Sequence, residues 1–277
     1  MTGQQPAMKL QRGPRLLARS LPLMALMVLG LAFATWAGGA LAESYLILAI
    51  IGDRLTVVAP ENKVGSNMDR NRYQVLPLAD RDFDIYALQL AQTRIQKARP
   101  AATVSLLRVN DPKLYALRSS WQDTDAVDAR ELLSLAGDMA ASAPDAHLLL
   151  IAPYETQPEV QTDRETRGSG KAGGLGFYLD GTSRMWDLDK NGKGSGEIGK
   201  GFLGVFANLQ LILINLESRT IEGKERIVVG TTFAASRAPD KTPWNALSGA
   251  EKIATLKSLM KTGIDGAVPK LLAPRQP

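Results

Sequence analysis

Six consecutive residues, Asp187-Leu188-Asp189-Lys190-Asn191-Gly192, carry the chain's most specific chemical pattern. Side-chain oxygens at positions 1, 3 and 5 with a turn glycine at 6 match the opening of a calcium-binding loop. Position 7, where only the backbone coordinates, is Lys193, and position 12, where a bidentate acid belongs, is Ile198. Glu197 falls one residue early. The candidate ligand set for calcium is therefore Asp187, Asp189, Asn191 and Glu197, with Asp180 a further carboxylate upstream. The same acids would serve metal-assisted hydrolysis, in which a bound cation activates water. Asp, Asn and Gly in one short stretch are also ordinary turn chemistry between two strands.

Other chemistries are poorly supplied. Gly168-Ser169-Gly170-Lys171-Ala172-Gly173 and Gly194-Ser195-Gly196-Glu197-Ile198-Gly199 both spell G-x-G-x-x-G. A dinucleotide site needs that turn to leave a strand and enter a helix, and both segments run into strand-like residues. They read as loops. His147 is the only histidine and cysteine is absent, so one chain cannot build a zinc site from several His or Cys ligands. A serine triad would have to use His147, and no G-x-S-x-G elbow supplies its nucleophile. Two polar stretches, Gly65–Arg72 and Glu155–Lys171, have the length and composition of recognition loops.

The elements that would position these groups alternate along the chain. Tyr45–Ile51 and Leu55–Val58 read as strands separated by a turn at Gly52-Asp53, and Pro60–Asp82 as a long loop. Phe83–Ala98 places Phe83, Ala87, Leu90, Ala91 and Ile95 on one helical face, with Asp82 as N-cap and Asp82 and Asp84 as first-turn acids. Thr103–Val109 is a strand, Ala126–Ala141 a helix stopped by Pro144, and His147–Ala152 a nearly apolar strand. Apolar strands joined by helices predict parallel pairing. Thereafter Leu175–Leu179, Arg184–Leu188, Asn208–Glu217 and Arg226–Ala235 read as antiparallel strands, the last two joined across Ser218–Gly223. Ser248 and Glu251 form a capping box for a final helix ended by Gly263, Gly266 and Pro269. The expected fold is a single α/β domain with a mixed sheet: a parallel βαβαβ first half, then antiparallel strands and a C-terminal helix.

Residues 1–42 read as a targeting segment ahead of that domain, 43–277. Lys9, Arg12, Arg15 and Arg19 precede an uncharged stretch from Ser20 to Ala42 that ends on Ala40-Leu41-Ala42, a pattern suited to signal peptidase. Left uncleaved, the same stretch is long enough to anchor the chain in a bilayer. Either way the basic end stays inside and the domain lies outside the cytoplasm, in the periplasm. The leader holds four of the 33 basic residues, leaving 29 against 28 acidic ones. A near-neutral domain has no field to gather polyanions, which excludes nucleic acid as the expected partner. Without cysteine there is no disulfide framework.

Three runs carry a resemblance: Ile51-Gly52-Asp53-Arg54-Leu55, Gly65-Ser66-Asn67-Met68-Asp69-Arg70-Asn71-Arg72 and Gly176-Phe177-Tyr178-Leu179-Asp180. In them the chain resembles exported periplasmic proteins of proteobacteria that have no assigned chemistry. The resemblance implies a cell-envelope setting and supplies no catalytic residue. The sequence thus points first to a non-catalytic envelope domain that binds a partner protein or a small ligand. The alternatives are a metal-assisted hydrolase built on 187–197 and a membrane-tethered structural protein held by an uncleaved leader, the only contact with membrane expected. No organic cofactor is expected, and calcium is the one ion the motifs offer.

Overall fold

The structure, a computed structural model, describes residues 43–60, 71–108, 114–115, 134, 141–161, 166–167, 170–188 and 194–273. The strands are β1 (Ser44–Ala49), β2 (Arg54–Pro60), β3 (Asn71–Pro77), β4 (Thr103–Leu107), β5 (Ala146–Pro153), β6 (Val160–Gln161), β7 (Thr166–Arg167), β8 (Gly174–Leu188), β9 (Gly194–Asn215) and β10 (Thr220–Ala234). The helices are α1 (Asp82–Ala98) and α2 (Gly249–Leu271), with 3-10 turns at Ala235–Arg237 and Pro243–Ala246. Among the described residues eight strands make one mixed sheet, in the order β3-β2-β8-β9-β5-β1-β4 with β10 also on β9, while β6 and β7 pair apart.

β9 is the spine. β10 runs antiparallel along one side of it, from Phe202 to Asn215. The other side is shared by two strands laid end to end: β8 faces Gly194–Asn208 and β5 faces Leu209–Asn215. Pro153, the end of β5, stands opposite Leu209, and Gly174, the start of β8, stands opposite Asn208. The next row repeats this break. β1 lies parallel to β5, and β2 lies parallel to β8 at Thr56–Val58. β4 flanks β1 in parallel and β3 flanks β2 antiparallel.

Side chains alternate across β9. Leu203, Val205, Ala207, Leu209, Leu211 and Leu213 face the helices, in a core that includes Phe83, Ala87, Ala91 and Ile95 of α1 and Leu256, Met260 and Ile264 of α2. Arg94 of α1 pairs with Asp265 of α2, tying the helices together. The opposite face is divided. Leu48, Ile50, Leu148, Leu150, Ile212 and Ile214 pack with Tyr115, whereas Val58, Tyr178, Phe202 and Phe206 pack with Val160 and Ala172.

Several expectations need correction. Part of the expected Pro60–Asp82 loop is strand β3: its burial pattern leaves both faces largely exposed, so no alternation betrays it, and pairing with β2 defines it. The N-cap of α1 is Arg81, which makes no side-chain cap, and Asp82 is already helical. The expected strands at 175–179 and 184–188 are one strand, β8, interrupted by an irregularity between Asp180 and Arg184. The turn between β9 and β10 falls at Leu216–Arg219, with Arg219 in the left-handed region at φ 54°. The capping box of α2 forms as expected, but the helix passes Gly263, Gly266 and Pro269 to reach Leu271. Burial of Ile264, Ala267 and Val268 outweighs the local penalties. A Cβ on Gly263 would lie 2.2 Å from Ile227 Cγ2, so that glycine lets α2 lie close against β10.

β1 is parallel to β4 and β5, but the described residues do not form the expected βαβαβ first half: β2 and the unexpected β3, antiparallel to each other, come between β1 and α1. The expected helix at Ala126–Ala141 lies almost wholly outside the described residues, as does the leader 1–42.

Candidate functional site: a cleft at the break in the sheet

Where β5 hands over to β8, the chain leaves the ladder at Tyr154 and rejoins it at Gly174. A polar latch on β9 holds both ends. Asn208 and Gln210 are buried at positions where the neighbouring even-numbered side chains are apolar. Asn208 Nδ2 donates to the carbonyl of Ala172 at 2.9 Å, and Gln210 Nε2 donates to that of Pro153 at 3.4 Å. Tyr154 N donates to Asn208 O at 2.9 Å, and Thr156 and Ala172 exchange backbone bonds of 3.3 and 2.7 Å. The two side-chain bonds give partners to backbone carbonyls at the edges of the break.

Beside this latch opens a cleft of about 370 Å³. Arg54 and Thr56 of β2, Tyr73 and Val75 of β3, Glu155 from the outgoing segment and Lys171 from the returning one line it. Gly170 and Gly174 carry the return at φ 75° and 76°, a left-handed backbone that favours glycine. At Gly170 a Cβ would lie 2.2 Å from Asn71 Nδ2 and 2.4 Å from the Tyr73 hydroxyl, so the segment closes directly on β3. Tyr73 and Val75, two residues apart and on one face of the strand, are 47% and 50% exposed. The wall is therefore open and partly apolar. Arg54 Nε bonds Asp53 Oδ2 at 3.2 Å, which leaves the Nη groups without a hydrogen-bond partner among the described residues.

A second crevice of about 200 Å³ sits where β1 and β4 end, lined by Ala49, Leu107 and Arg108 of that edge and Arg81 and Asp84 of the α1 start. β1 runs on through the Gly52-Asp53 turn into β2 of the same sheet, while α1 packs on one face of that sheet and Tyr115 on the other. Asp84 fills most of its polar side. Its Oδ1 accepts the amides of Ile51 and Gly52 at 2.7 and 2.8 Å, and the Arg81 guanidinium lies 4.1 Å from the centre of the Tyr115 ring. Burial raises the Asp84 pKa, against the opposing pull of its hydrogen bonds and of Arg81. Asp84 is thus the cap of the β1–β2 turn, and not merely a first-turn acid.

The calcium candidates lie elsewhere, at the far end of the β8–β9 ribbon. Asp187 stands opposite Gly196 and Glu197 opposite Trp186, with irregular register on either side. Asp189 and Asn191 lie outside the described residues. Among the described residues no group of three or more His, Asp or Glu side chains is placed to hold a metal ion. Of the two glycine motifs, the first runs into β8 and the second lies within β9. Neither enters a helix, so neither forms a dinucleotide turn.

Asp180 is closed on itself: Thr182 and Ser183 each donate a backbone amide and a hydroxyl to it, at 2.5–3.0 Å. His147 pairs through Nδ1 with Glu222 Oε2 at 2.9 Å, and Glu222 Oε1 also accepts from Asn215 Nδ2 at 3.2 Å. Glu222 is the extra residue of a bulge between Ile221 and Gly223, which brings its carboxylate to the imidazole. Tyr45 stacks on the same ring with centroids 5.2 Å apart. The arrangement has a base and its acid but no nucleophile beside them among the described residues.

Of the two expected recognition loops, Gly65–Arg72 lies outside the described residues except for Asn71 and Arg72, which open β3. Glu155–Lys171 contributes both its ends to the cleft. Sequence reasoning passed over Arg54, Tyr73 and Asp84. For Asp84 a signal existed: it falls with Leu88, Ala91 and Ile95 on the buried stripe of α1, where an acid needs a partner. No protein-family model matches the chain, and no curated protein matches it.

Proposed function

We propose that this is an exported envelope protein that binds a small polar ligand without transforming it, and that the cleft between β2, β3, Glu155 and Lys171–Gly173 is the binding site. One observation carries this reading: the sheet is interrupted in two neighbouring rows at the same level, and the gap is lined with charged, aromatic and hydroxyl groups instead of being packed. Pockets for small ligands are concave, partly apolar and furnished with a few polar anchors, and this cleft has that composition. The leader-like residues 1–42 support a periplasmic setting, and the near balance of charge in 43–277 speaks against a polyanionic partner. No helix among the described residues is long and apolar enough to cross a membrane.

The test is retention. Protein incubated with a small-molecule extract of cell envelopes, washed and then denatured should release a bound compound detectable by mass spectrometry. A Val75→Trp variant, with an indole placed over the open wall, should release none. Equal release from both proteins, or none from either, would remove the cleft from consideration.

A further inference from the structure

We infer that the cleft selects a zwitterion, an amino acid or a peptide of two or three residues with both its ammonium and its carboxylate free. This rests on the reading of the cleft as a ligand site. Of the three charges that line the cleft, Lys171 is already engaged, and Arg54 and Glu155, of opposite sign, do not meet. The Nη groups of Arg54 have no partner among the described residues, its only bond being from Nε to Asp53. Glu155, half-buried on the facing segment, has neither an ion pair nor a hydrogen bond among the described residues. Both border the same space of about 370 Å³, and they do not pair with each other.

The alternatives fit less well. A neutral sugar would cover Arg54 and Glu155 while offering neither an opposite charge, and burying a charge unpaired is costly. A phosphate would pair with Arg54 but leave Glu155 facing a second negative charge, and the Lys171 ammonium is already engaged. A free peptide end-group pair satisfies both: its carboxylate accepts from the planar guanidinium fork, and its ammonium donates to Glu155. The side chain between them has an apolar surface to lie on, formed by Tyr73 and Val75 beside Pro153. The volume is at the low end of the range of about 300–1,000 Å³ for ligand pockets, which suits two or three residues better than a nucleotide.

The experiment is a calorimetric titration of the full exported protein with alanyl-leucine, N-acetyl-alanyl-leucine and alanyl-leucine amide. The free dipeptide should saturate one site, and each blocked form should bind at least about tenfold more weakly. Glu155→Gln should abolish discrimination against the acetyl form only, and Arg54→Gln discrimination against the amide only, with melting curves confirming that both variants fold. If the blocked forms bind as well as the free dipeptide, zwitterion selection is wrong although the cleft still binds. If none of the three binds but the retention experiment yields a compound that Val75→Trp loses, the ligand class is wrong and the site stands. If nothing is retained either, both readings fall.

Discussion

The Tyr115 hydroxyl donates a 2.5 Å hydrogen bond to Asp84 Oδ2, and so joins the layer behind the sheet to the helix in front of it. The other oxygen of the same carboxylate holds the β1–β2 turn. Asp84→Asn keeps an acceptor for Ile51 and Gly52 and turns an amide toward Tyr115, whose hydroxyl can then accept. We expect Asn to cost no more than about 1 kcal/mol and Ala about 2–4 kcal/mol, because Ala orphans three buried donors. Urea unfolding of the two variants checks the difference. Equal losses would mean that the carboxylate geometry is not what holds the turn.

Asp84 and Asp180 should pull the acid stability profile in opposite directions. Burial raises Asp84 above the ordinary value of 3.8, so the folded state holds its proton more tightly than the unfolded chain does. Its contribution is full below about pH 3.8 and is lost as pH rises through the raised folded value. At Asp180 burial also pushes upward, but the hydrogen bonds from Ser183 and Thr182 outweigh it and the pKa is lowered. That contribution is present above pH 3.8 and fades as pH falls through the folded value. The stability advantage of the parent over Asp84→Asn should therefore grow on going from pH 7 to pH 4. Its advantage over Asp180→Asn should hold across that range and shrink only below it. Denaturation at pH 3, 4 and 7 reads both.

Gly176 should tolerate no side chain. A Cβ there would lie 2.0 Å from the Thr56 carbonyl oxygen and 2.6 Å from Phe206 Cζ, at the short parallel contact between β2 and β8. Gly176→Ala should cost about 3 kcal/mol or more. Gly181→Ala, with nothing within 4 Å of the new methyl, should stay within about 0.5 kcal/mol. A pair of melting curves decides.

Millimolar calcium should leave the melting temperature unchanged, and so should EDTA. Position 12 of the candidate loop is Ile198, which cannot close a coordination shell. A rise of several degrees that Asp187→Asn abolishes would make 187–197 a metal site after all.

Export with cleavage after Ala42 should give a mature protein whose mass begins at Glu43. That residue is already built into the fold: its carbonyl accepts Thr103 N at 2.9 Å, and its carboxylate accepts the Tyr45 hydroxyl at 2.6 Å and pairs with Arg99 at 3.3 Å. A membrane-bound product of full mass would instead establish the tether.

What could be read from the sequence was what local patterning controls. β1 and β5 announce themselves as apolar runs because both their faces are buried, and α2 announces its start through Ser248 and Glu251. β3 was invisible because exposed residues on both faces carry no period. The end of α2 was misplaced because its last turns are held by packing that no local rule contains. The cleft was out of reach for a different reason. Arg54 and Glu155 are brought to one space only by the end-to-end placement of strands along β9, and register across such separations leaves no mark in either neighbourhood. Glu222 meets His147 only because a bulge shifts it.

The role of β9 as the strand common to both half-sheets also bears on how the chain reaches its folded state. Neither β5 nor β8 has its antiparallel neighbour until residues 194–215 are present, and β1 pairs with strands 59 and 102 positions further along the chain. A topology so dependent on distant pairings closes late and slowly. Under the export proposed for this chain that delay would be useful, since a polypeptide threaded through a membrane channel has to arrive there before its sheet has closed.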